Sequence, residues 1–160
     1  PEAQRPVVTH QAGEKQIDEL RANYAAAGVL ATLTPFIDNT AQAFADADLV
    51  ICRAGASTVT EIAAVGAAAV FVPFPAAVDD HQTFNARFLV DQGGGWLLPQ
   101  ADMTPQGLAE LLQKTERSTL LQRGLAREPS SPTRPSPPST PSSRVAGPTR
   151  FRSSAMGRIG

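Results

Sequence analysis

Residues 49–72 constrain the fold of this chain more than any other part of its 160 residues. The segment opens with the apolar run Leu49–Cys52 and continues through a turn of small residues into a helical stretch ended by Gly66. It closes with a second apolar run at residues 68–72. Strands that are apolar at every position are typical of a parallel sheet covered on both faces. Because a helix that joins two parallel strands makes a right-handed crossover, the segment predicts an α/β fold with a Rossmann-like parallel sheet.

The residues on either side continue the alternation of strands and helices. Residues 10–13 are assigned to a loop, and Asp38 is the expected N-cap of the helix that follows it. In the fourth helix, the spacing of the apolar residues predicts a buried stripe of Phe84, Phe88 and Leu89. The further strands are expected at residues 6–9, 29–34 and 96–98, and the further helices at residues 14–27, 39–47, 80–92, from Thr104 and Pro105 onward, and at 118–127.

Charge divides the chain into two parts. Residues 1–128 carry nine Lys or Arg and all fifteen Asp and Glu, a net charge of −6, whereas residues 129–160 carry five Arg and no acidic residue. An acidic globular part argues against nucleic acid as a partner, since that kind of binding needs a clustered basic face. We therefore assign residues 1–128 to one globular domain and residues 129–160 to a separate tail.

The tail is expected to be disordered. Of the fifteen residues 129–143, twelve are Pro or Ser, and such a segment buries too little apolar surface to offset the entropy lost on ordering. One interpretation is a recognition linker. The one we favour is an out-of-frame reading of the gene, because the tail is rich in Arg, Pro and Ser and lacks Lys and acidic residues. The opening residues lack an initiating Met, which indicates a start within a longer protein.

Two features bear on the compartment. Cys52 is the single cysteine, so no disulfide can form within the chain, which fits a reducing cytoplasm. Its apolar neighbours favour a buried core thiol over a catalytic one. No apolar run reaches the roughly 18 residues that a membrane-spanning helix needs.

The first candidate site is the turn and helix start at residues 53–61, which follow the carboxyl end of a strand, where ligands of α/β sheets bind. Small residues let the backbone approach a ligand, and the amides of a helix start suit a phosphate. Ser57 and Thr58 add hydroxyls, and Glu61 can accept two hydrogen bonds from a ribose diol. The alternative is an ordinary helix start, with Ser57 as N-cap and Glu61 supporting the cap.

The second candidate site is the polar stretch at residues 79–85, at the start of the fourth helix. His81, Gln82 and Asn85 can hydrogen-bond sugar hydroxyls, with His81 and Asn85 four residues apart on one helical face. The alternative is a solvated helix start capped by Asp79 or Asp80. The spacing of the two aspartates and His81 matches no common zinc or calcium pattern, so we predict no bound metal. His10, the other histidine, is expected to lie exposed in its loop.

Four blocks of this sequence, taken in their order and spacing, make a chance resemblance to a known family unlikely. Residues 10–13 read HQAG, residues 34–39 TPFIDN, residues 47–75 ADLVICRAGASTVTEIAAVGAAAVFVPFP, and residues 78–98 VDDHQTFNARFLVDQGGGWLL. Together they resemble the C-terminal domain of the MurG family, from about residue 7 to residue 127. The resemblance implies the C-terminal half of a GT-B glycosyltransferase, the half that binds UDP-N-acetylglucosamine.

The resemblance also implies roles for particular residues. Ile37 should contact the uracil through its backbone, and Glu61 should hold the ribose hydroxyls. The diphosphate and the sugar should lie along Ala56, Ser57 and Thr58. N-acetylglucosamine should meet His81 and Gln82, with Asn85 close by.

Several family features are absent from this sequence. It lacks the glycine-rich G-G-S loop that holds the diphosphate, the domain's first strand, and the N-terminal domain with its proposed histidine base. Many members also have a histidine where this chain has Ala76.

The implied reaction is transfer of N-acetylglucosamine from UDP-N-acetylglucosamine to a lipid-linked N-acetylmuramoyl-pentapeptide in peptidoglycan synthesis, without a cofactor. Family members are peripheral enzymes on the cytoplasmic face of the inner membrane, so this chain is expected to be cytoplasmic. The family also implies that the lipid-linked acceptor is held by the N-terminal domain, so this chain alone should be inactive. The alternatives are another GT-B enzyme that uses a UDP-sugar, or a non-catalytic nucleotide-binding module that needs a partner chain.

Overall fold

The computed structural model describes residues 5–75, 80–124 and 152–156. Strands and helices alternate through the first two ranges, as the apolar pattern predicts. The strands are β1 (Val7–Gln11), β2 (Thr32–Thr34), β3 (Leu49–Cys52), β4 (Ala69–Phe71), β5 (Gly95–Leu97) and β6 (Arg152–Met156). The helices are α1 (Ile17–Ala26), α2 (Thr40–Asp46), α3 (Ala56–Val65), α4 (His81–Val90), α5 (Pro105–Lys114) and α6 (Arg117–Gly124), with a 3₁₀ turn at Gln100–Asp102.

The strands form one sheet in the order β2-β1-β6-β3-β4-β5, and every neighbouring pair is parallel. Helices connect the strands that follow one another along the chain, so their packing covers the sheet on both faces. This architecture confirms the predicted α/β fold with a Rossmann-like parallel sheet.

The core lies on both faces of β3 and β4. On one face, Val50 and Cys52 pack with Phe44 of α2, Ile62 of α3 and Leu89 of α4. Alternate residues of the same strands face the other side, where the second cluster forms. It contains Leu49, Val70, Val72 and Leu120 of α6, with Leu111 and Leu112 of α5 packed against it. Because side chains alternate along a strand, burial on both faces requires an apolar residue at every position.

The helix ends follow local chemistry. Thr104 caps α5 by accepting a hydrogen bond from the Gly107 amide, and Pro105 occupies the first turn, as predicted. The predicted cap of α2 is wrong by one residue: Asn39, not Asp38, accepts the hydrogen bond from the Gln42 amide. Within the described ranges, no helix is long and apolar enough to cross a membrane.

The predicted buried stripe of α4 is wrong for two of its three residues. Phe84 and Phe88 are 79% and 54% exposed, whereas Ala86 and Leu89 are buried. Gln82 and Asn85 hydrogen-bond inward, to the Phe74 amide and the Ala54 carbonyl. Residues at spacings of three, four and seven share one helical face, so these inward polar contacts fix a rotation of α4 that turns both phenylalanines outward.

Residues 10–11 belong to a strand, not to the predicted loop. β1 extends through Gln11, and His10 is half-buried there, with its Nδ1 3.2 Å from the Tyr24 hydroxyl. Burial lowers the pKa of His10 below its usual range. The prediction that His10 is exposed in a loop is therefore wrong. The motif HQAG does not show that the strand continues through its first two residues.

The tail also departs from expectation at one place. Arg152–Met156 forms β6 and lies inside the sheet, whereas the sequence predicted no regular structure in residues 129–160. The Pro/Ser-rich residues 129–143, to which the prediction of disorder mainly applied, lie outside the described residues. Main-chain pairing explains β6, because both neighbouring strands offer it hydrogen-bonding edges regardless of side-chain pattern.

Two glycines allow the end of α6 to touch the turn between α3 and β4. Gly66 ends α3 with a positive φ of 68°, and a Cβ on it would lie 2.8 Å from the Gly124 carbonyl oxygen. A Cβ on Gly124 would lie 2.3 Å from the Gly66 carbonyl oxygen. Backbone therefore meets backbone at this contact, and neither position has room for a methyl group.

Replacing Gly124 by alanine is expected to lower the free energy of unfolding by about 1–3 kcal/mol, the cost of forcing a group into a packed contact. Urea unfolding followed through the fluorescence of Trp96, the only tryptophan, measures the change. Gln122→Ala, on the exposed part of the same helix, is the control and should stay within about 0.5 kcal/mol of the unmodified chain. Equal stability of the two variants would contradict the close contact.

Candidate functional site

A cleft of about 560 Å³ opens at the carboxyl ends of β3 and β4. The ends of neighbouring parallel strands and the helix starts that follow them meet at this edge, which is where α/β sheets bind ligands. Its lining contains residues of both candidate segments, several from the turn after β3 and Gln82 from the start of α4. The lining residues are Thr40, Phe44, Cys52, Arg53, Gly55, Ser57, Thr58, Glu61, Phe74 and Gln82.

The start of α3 forms one wall. Gly55 is the N-cap residue, with extended backbone and no side-chain cap hydrogen bond, so the proposal that Ser57 caps the helix is wrong. Ser57 instead lies in the first turn, and both it and Thr58 line the cleft. The first amides of a helix have no partner within the helix, and together with the helix dipole they favour an anion. The arrangement suits a phosphate group.

Glu61 lies one turn further along α3. Its Oε2 accepts a hydrogen bond of 2.8 Å from the hydroxyl of Thr40, the first residue of α2. The contact joins two helices whose residues are 21 positions apart in the chain, and it holds the carboxylate at the cleft. A half-buried carboxylate fixed in this way can accept hydrogen bonds from a vicinal diol.

Arg53 forms the opposite rim. Its guanidinium donates to the carbonyl oxygens of Val72 and Pro73, at 3.1 and 3.2 Å, and to Gln100 Oε1 at 2.7 Å. The same group lies over the Phe74 ring, 5.3 Å from its centroid. These contacts join the turn after β3 to the chain after β4 and hold a fixed positive charge at the cleft.

The start of α4 contributes Gln82. Its Oε1 accepts a hydrogen bond of 2.9 Å from the Phe74 amide, which orients the amide nitrogen as a donor. Asn85 donates to the Ala54 carbonyl oxygen at 3.2 Å and so ties α4 to the turn after β3. His81, the first residue of α4, is exposed.

Of the residues predicted from sequence, the structure brings Ser57, Thr58, Glu61 and Gln82 together in the lining. The others lie outside it. Ala56 is the exposed first residue of α3, Ile37 is half-buried in the loop between β2 and α2, and His81 and Asn85 lie on α4.

Several lining residues are not among those predicted from the sequence. Thr40 and Phe44 enter the cleft because α2 packs on α3, and no pattern in the sequence marks that contact. Phe74 lies in the loop that follows β4. Arg53 was visible at the start of the first candidate segment, where a charged residue directly after an apolar strand is a signal of the edge of the sheet.

Cys52 reaches the cleft wall but is only 4% exposed. Burial raises the pKa of its thiol to about 12. A neutral, desolvated thiol is a poor nucleophile, so the prediction of a buried core thiol is confirmed.

The chain matches the glycosyltransferase family 28 C-terminal domain over residues 2–131. The relatives that it matches include two with the name UDP-N-acetylglucosamine--N-acetylmuramyl-(pentapeptide) pyrophosphoryl-undecaprenol N-acetylglucosamine transferase. The one from Polaromonas sp. is 81% identical over 76% of this chain and 32% of its own length. The one from Paracidovorax citrulli is 75% identical over 78% of this chain and 35% of its own length.

Among solved structures, the chain is similar to the crystal structure of Acinetobacter baumannii MurG. The TM-score is 0.69 and the sequence identity 46%, over 76% of this chain and 36% of that one. This chain therefore spans about a third of the length of the relatives that it matches.

The Cys52 thiol is expected to resist modification by a soluble disulfide reagent at pH 8, because a thiol with a pKa of about 12 is almost entirely protonated there. Absorbance of the released thiolate measures the reaction. The same chain in denaturing urea is the control and should react fully within minutes. Rapid, complete reaction of the folded chain would contradict the burial of Cys52.

Proposed function

Since this chain belongs to the glycosyltransferase family 28 C-terminal domain family, we propose that it is the donor-binding part of a MurG-type enzyme. The whole enzyme would transfer N-acetylglucosamine from UDP-N-acetylglucosamine to a lipid-linked N-acetylmuramoyl-pentapeptide. The relatives' names state this donor and acceptor, and this chain would supply the donor side.

The observation that carries the proposal is the relation between the start of α3 and Glu61. A diphosphate at the helix start would meet backbone amides and the Thr58 hydroxyl. One turn along the same helix, the Glu61 carboxylate would accept hydrogen bonds from the ribose diol, in exchange for the Thr40 hydroxyl that it contacts at 2.8 Å. The groups that would bind the phosphate and the ribose thus follow each other along one helix, just as the phosphate and the ribose are neighbours in a nucleoside diphosphate.

The remaining parts of the donor would lie on either side of that helix. Gln82, whose amide nitrogen is oriented by the Phe74 amide, would donate to N-acetylglucosamine, with His81 beside it. Asn85 would act indirectly, because its side chain holds the Ala54 carbonyl. The uracil would contact the backbone of Ile37. The Ala56 amide lies in the first turn of α3 and would join the diphosphate contacts.

The reaction would be an inverting displacement. A hydroxyl oxygen of the acceptor sugar attacks the anomeric carbon, the bond from that carbon to the UDP oxygen breaks, and UDP leaves with the electron pair. The hydroxyl proton passes to a general base. This chain would contribute to the leaving-group side, where helix amides and the fixed Arg53 cation stabilise negative charge developing on the diphosphate.

The base and the acceptor-binding surface would belong to the rest of the longer enzyme. A GT-B site forms between two domains, and one domain offers half of a cleft. We propose a location at the cytoplasmic face of the bacterial inner membrane, where the lipid-linked acceptor is available. Residues 1–128 would form most of the donor-binding domain, and residues 152–156 of the tail add the strand β6 to its sheet.

Replacing Glu61 by alanine is expected to weaken UDP binding by about 1.5–3 kcal/mol, the range for hydrogen bonds to a charged group. Calorimetric titration of this chain, and of a full-length enzyme carrying the domain, measures the change. Glu110→Ala removes an exposed glutamate from α5 and is the matched control. Unchanged UDP affinity in Glu61→Ala would count against the ribose role and leave Glu61 as a helix-packing residue through Thr40.

This chain alone is expected not to transfer sugar. Positioning two reactants about 3–3.5 Å apart supplies roughly 7–11 kcal/mol of a barrier, and half a cleft cannot position the acceptor. The assay uses radiolabelled UDP-N-acetylglucosamine and the lipid-linked acceptor in detergent, with a full-length enzyme as positive control. Turnover above the blank that is lost in Glu61→Ala would place the catalytic machinery within this chain and overturn the proposed division of labour.

A further inference from the structure

Thr40 is the first residue of α2, and its hydroxyl is directed to another helix. The side chain of Asn39 makes the cap of α2. A threonine inside a helix commonly donates to the carbonyl four residues back, as Thr60 does to the Ala56 carbonyl oxygen at 2.9 Å. Thr40 has no such carbonyl within its own helix, since the helix begins with it. Its hydroxyl donates instead to Glu61 Oε2 on α3, at 2.8 Å.

The apolar core fixes this contact. Phe44 lies one turn after Thr40 on the same face of α2 and is only 2% exposed. It belongs to the buried cluster that also contains Val59 and Ile62 of α3. The two helices therefore cannot slide past each other without emptying part of that cluster, and the Thr40 hydroxyl stays beside the Glu61 carboxylate.

Both groups line the cleft, so a ligand meets two oxygens that are 2.8 Å apart. That distance is about the separation of the two oxygens in a vicinal diol. An ionised carboxylate has about four acceptor sites, and the Thr40 hydroxyl fills one of them. A hydroxyl can both donate and accept, and its hydrogen rotates to suit the partner. The pair can therefore receive both hydroxyls of a diol without movement of either side chain.

The position of Thr40 in the chain also places it next to the proposed base site. It follows Ile37, the proposed uracil contact, by three residues, and the Asn39 cap joins the intervening loop to α2. Thr58, on the proposed phosphate side, precedes Glu61 by three residues on α3. A nucleotide bound along this wall would have its base beside the loop before α2 and its ribose beside the start of α2.

We propose that Thr40 is a second ribose-binding residue beside Glu61 and that it helps to select ribonucleotides over deoxyribonucleotides. This inference rests on the proposed function. When UDP binds, one ribose hydroxyl donates to Glu61 Oε2 in place of the Thr40 hydroxyl. The Thr40 hydroxyl then turns to the neighbouring hydroxyl of the same diol. A deoxyribose lacks one of these two hydroxyls and leaves one protein group without its ligand contact.

Thr40→Val removes the hydroxyl and keeps the shape of the side chain. In NMR titrations of the full chain, this variant should bind UDP about three- to tenfold more weakly, the effect of losing one neutral hydrogen bond. Thr40→Ser keeps the hydroxyl and should bind UDP as tightly as the unmodified chain. Thr32→Val, at an exposed position of β2, is the matched control and should also leave UDP affinity unchanged.

Two UDP analogues separate ribose binding from helix packing. Each of 2′-deoxy-UDP and 3′-deoxy-UDP lacks one hydroxyl of the diol, so one of them lacks the hydroxyl that Thr40 contacts. Thr40→Val should weaken UDP but leave that analogue at its affinity for the unmodified chain, because the contact is already lost. Equal weakening of all three nucleotides would indicate a packing defect between α2 and α3 and would overturn the ribose role of Thr40.

Glu61→Ala, titrated in parallel, separates this inference from the proposed function. If Glu61→Ala weakens UDP binding while Thr40→Val binds UDP as tightly as the unmodified chain or more tightly, only the role of Thr40 is overturned. If neither variant changes UDP affinity, the ribose role of Glu61 is overturned, and that of Thr40 with it. Should Thr40→Val not fold, Thr40→Ala also lacks the hydroxyl and is judged by the same outcomes.

Discussion

The burial of β3 and β4 on both faces is the constraint on which the rest of this structure depends. Their alternate side chains fill two separate apolar clusters, so neither strand can be moved or flipped without emptying one of them. Parallel strands in this position need helical crossovers, and each crossover begins with a turn at the carboxyl edge of the sheet. The cleft is therefore a consequence of how the core is built, because two such turns meet beside each other.

The polar groups of the cleft are held before any ligand arrives. Thr40 fixes Glu61, the Phe74 amide fixes Gln82, and two carbonyls with Gln100 fix Arg53. Most of these contacts use the backbone of a different loop, so they also hold the loops together. Side chains fixed in this way lose little further conformational freedom on binding, which favours recognition of a rigid, charged molecule such as a nucleoside diphosphate.

The middle of the sheet shows a second consequence of the same core. β3 cannot serve as a sheet edge while Leu49 and Val50 are fully buried, and β1 with β2 makes too small a sheet to stand alone. A strand between them satisfies both requirements, and here it comes from residues 152–156. Backbone hydrogen bonding requires a strand at this position. The segment that forms it therefore needs no particular side-chain pattern.

The sequence by itself determined the parallel sheet, the strand Leu49–Cys52 to the residue, the cap at Thr104 and the cleft residues Ser57, Thr58, Glu61 and Gln82. Each depends on local chemistry or on a periodicity that short segments carry in full. Only the tertiary structure decided the rotation of α4, the contact between Thr40 and Glu61, the role of Arg53 and the insertion of β6. These features depend on groups far apart in the chain, and their backbone and polar contacts produce no periodic pattern in the sequence. Packing and main-chain hydrogen bonding determine these features only once the sheet has formed.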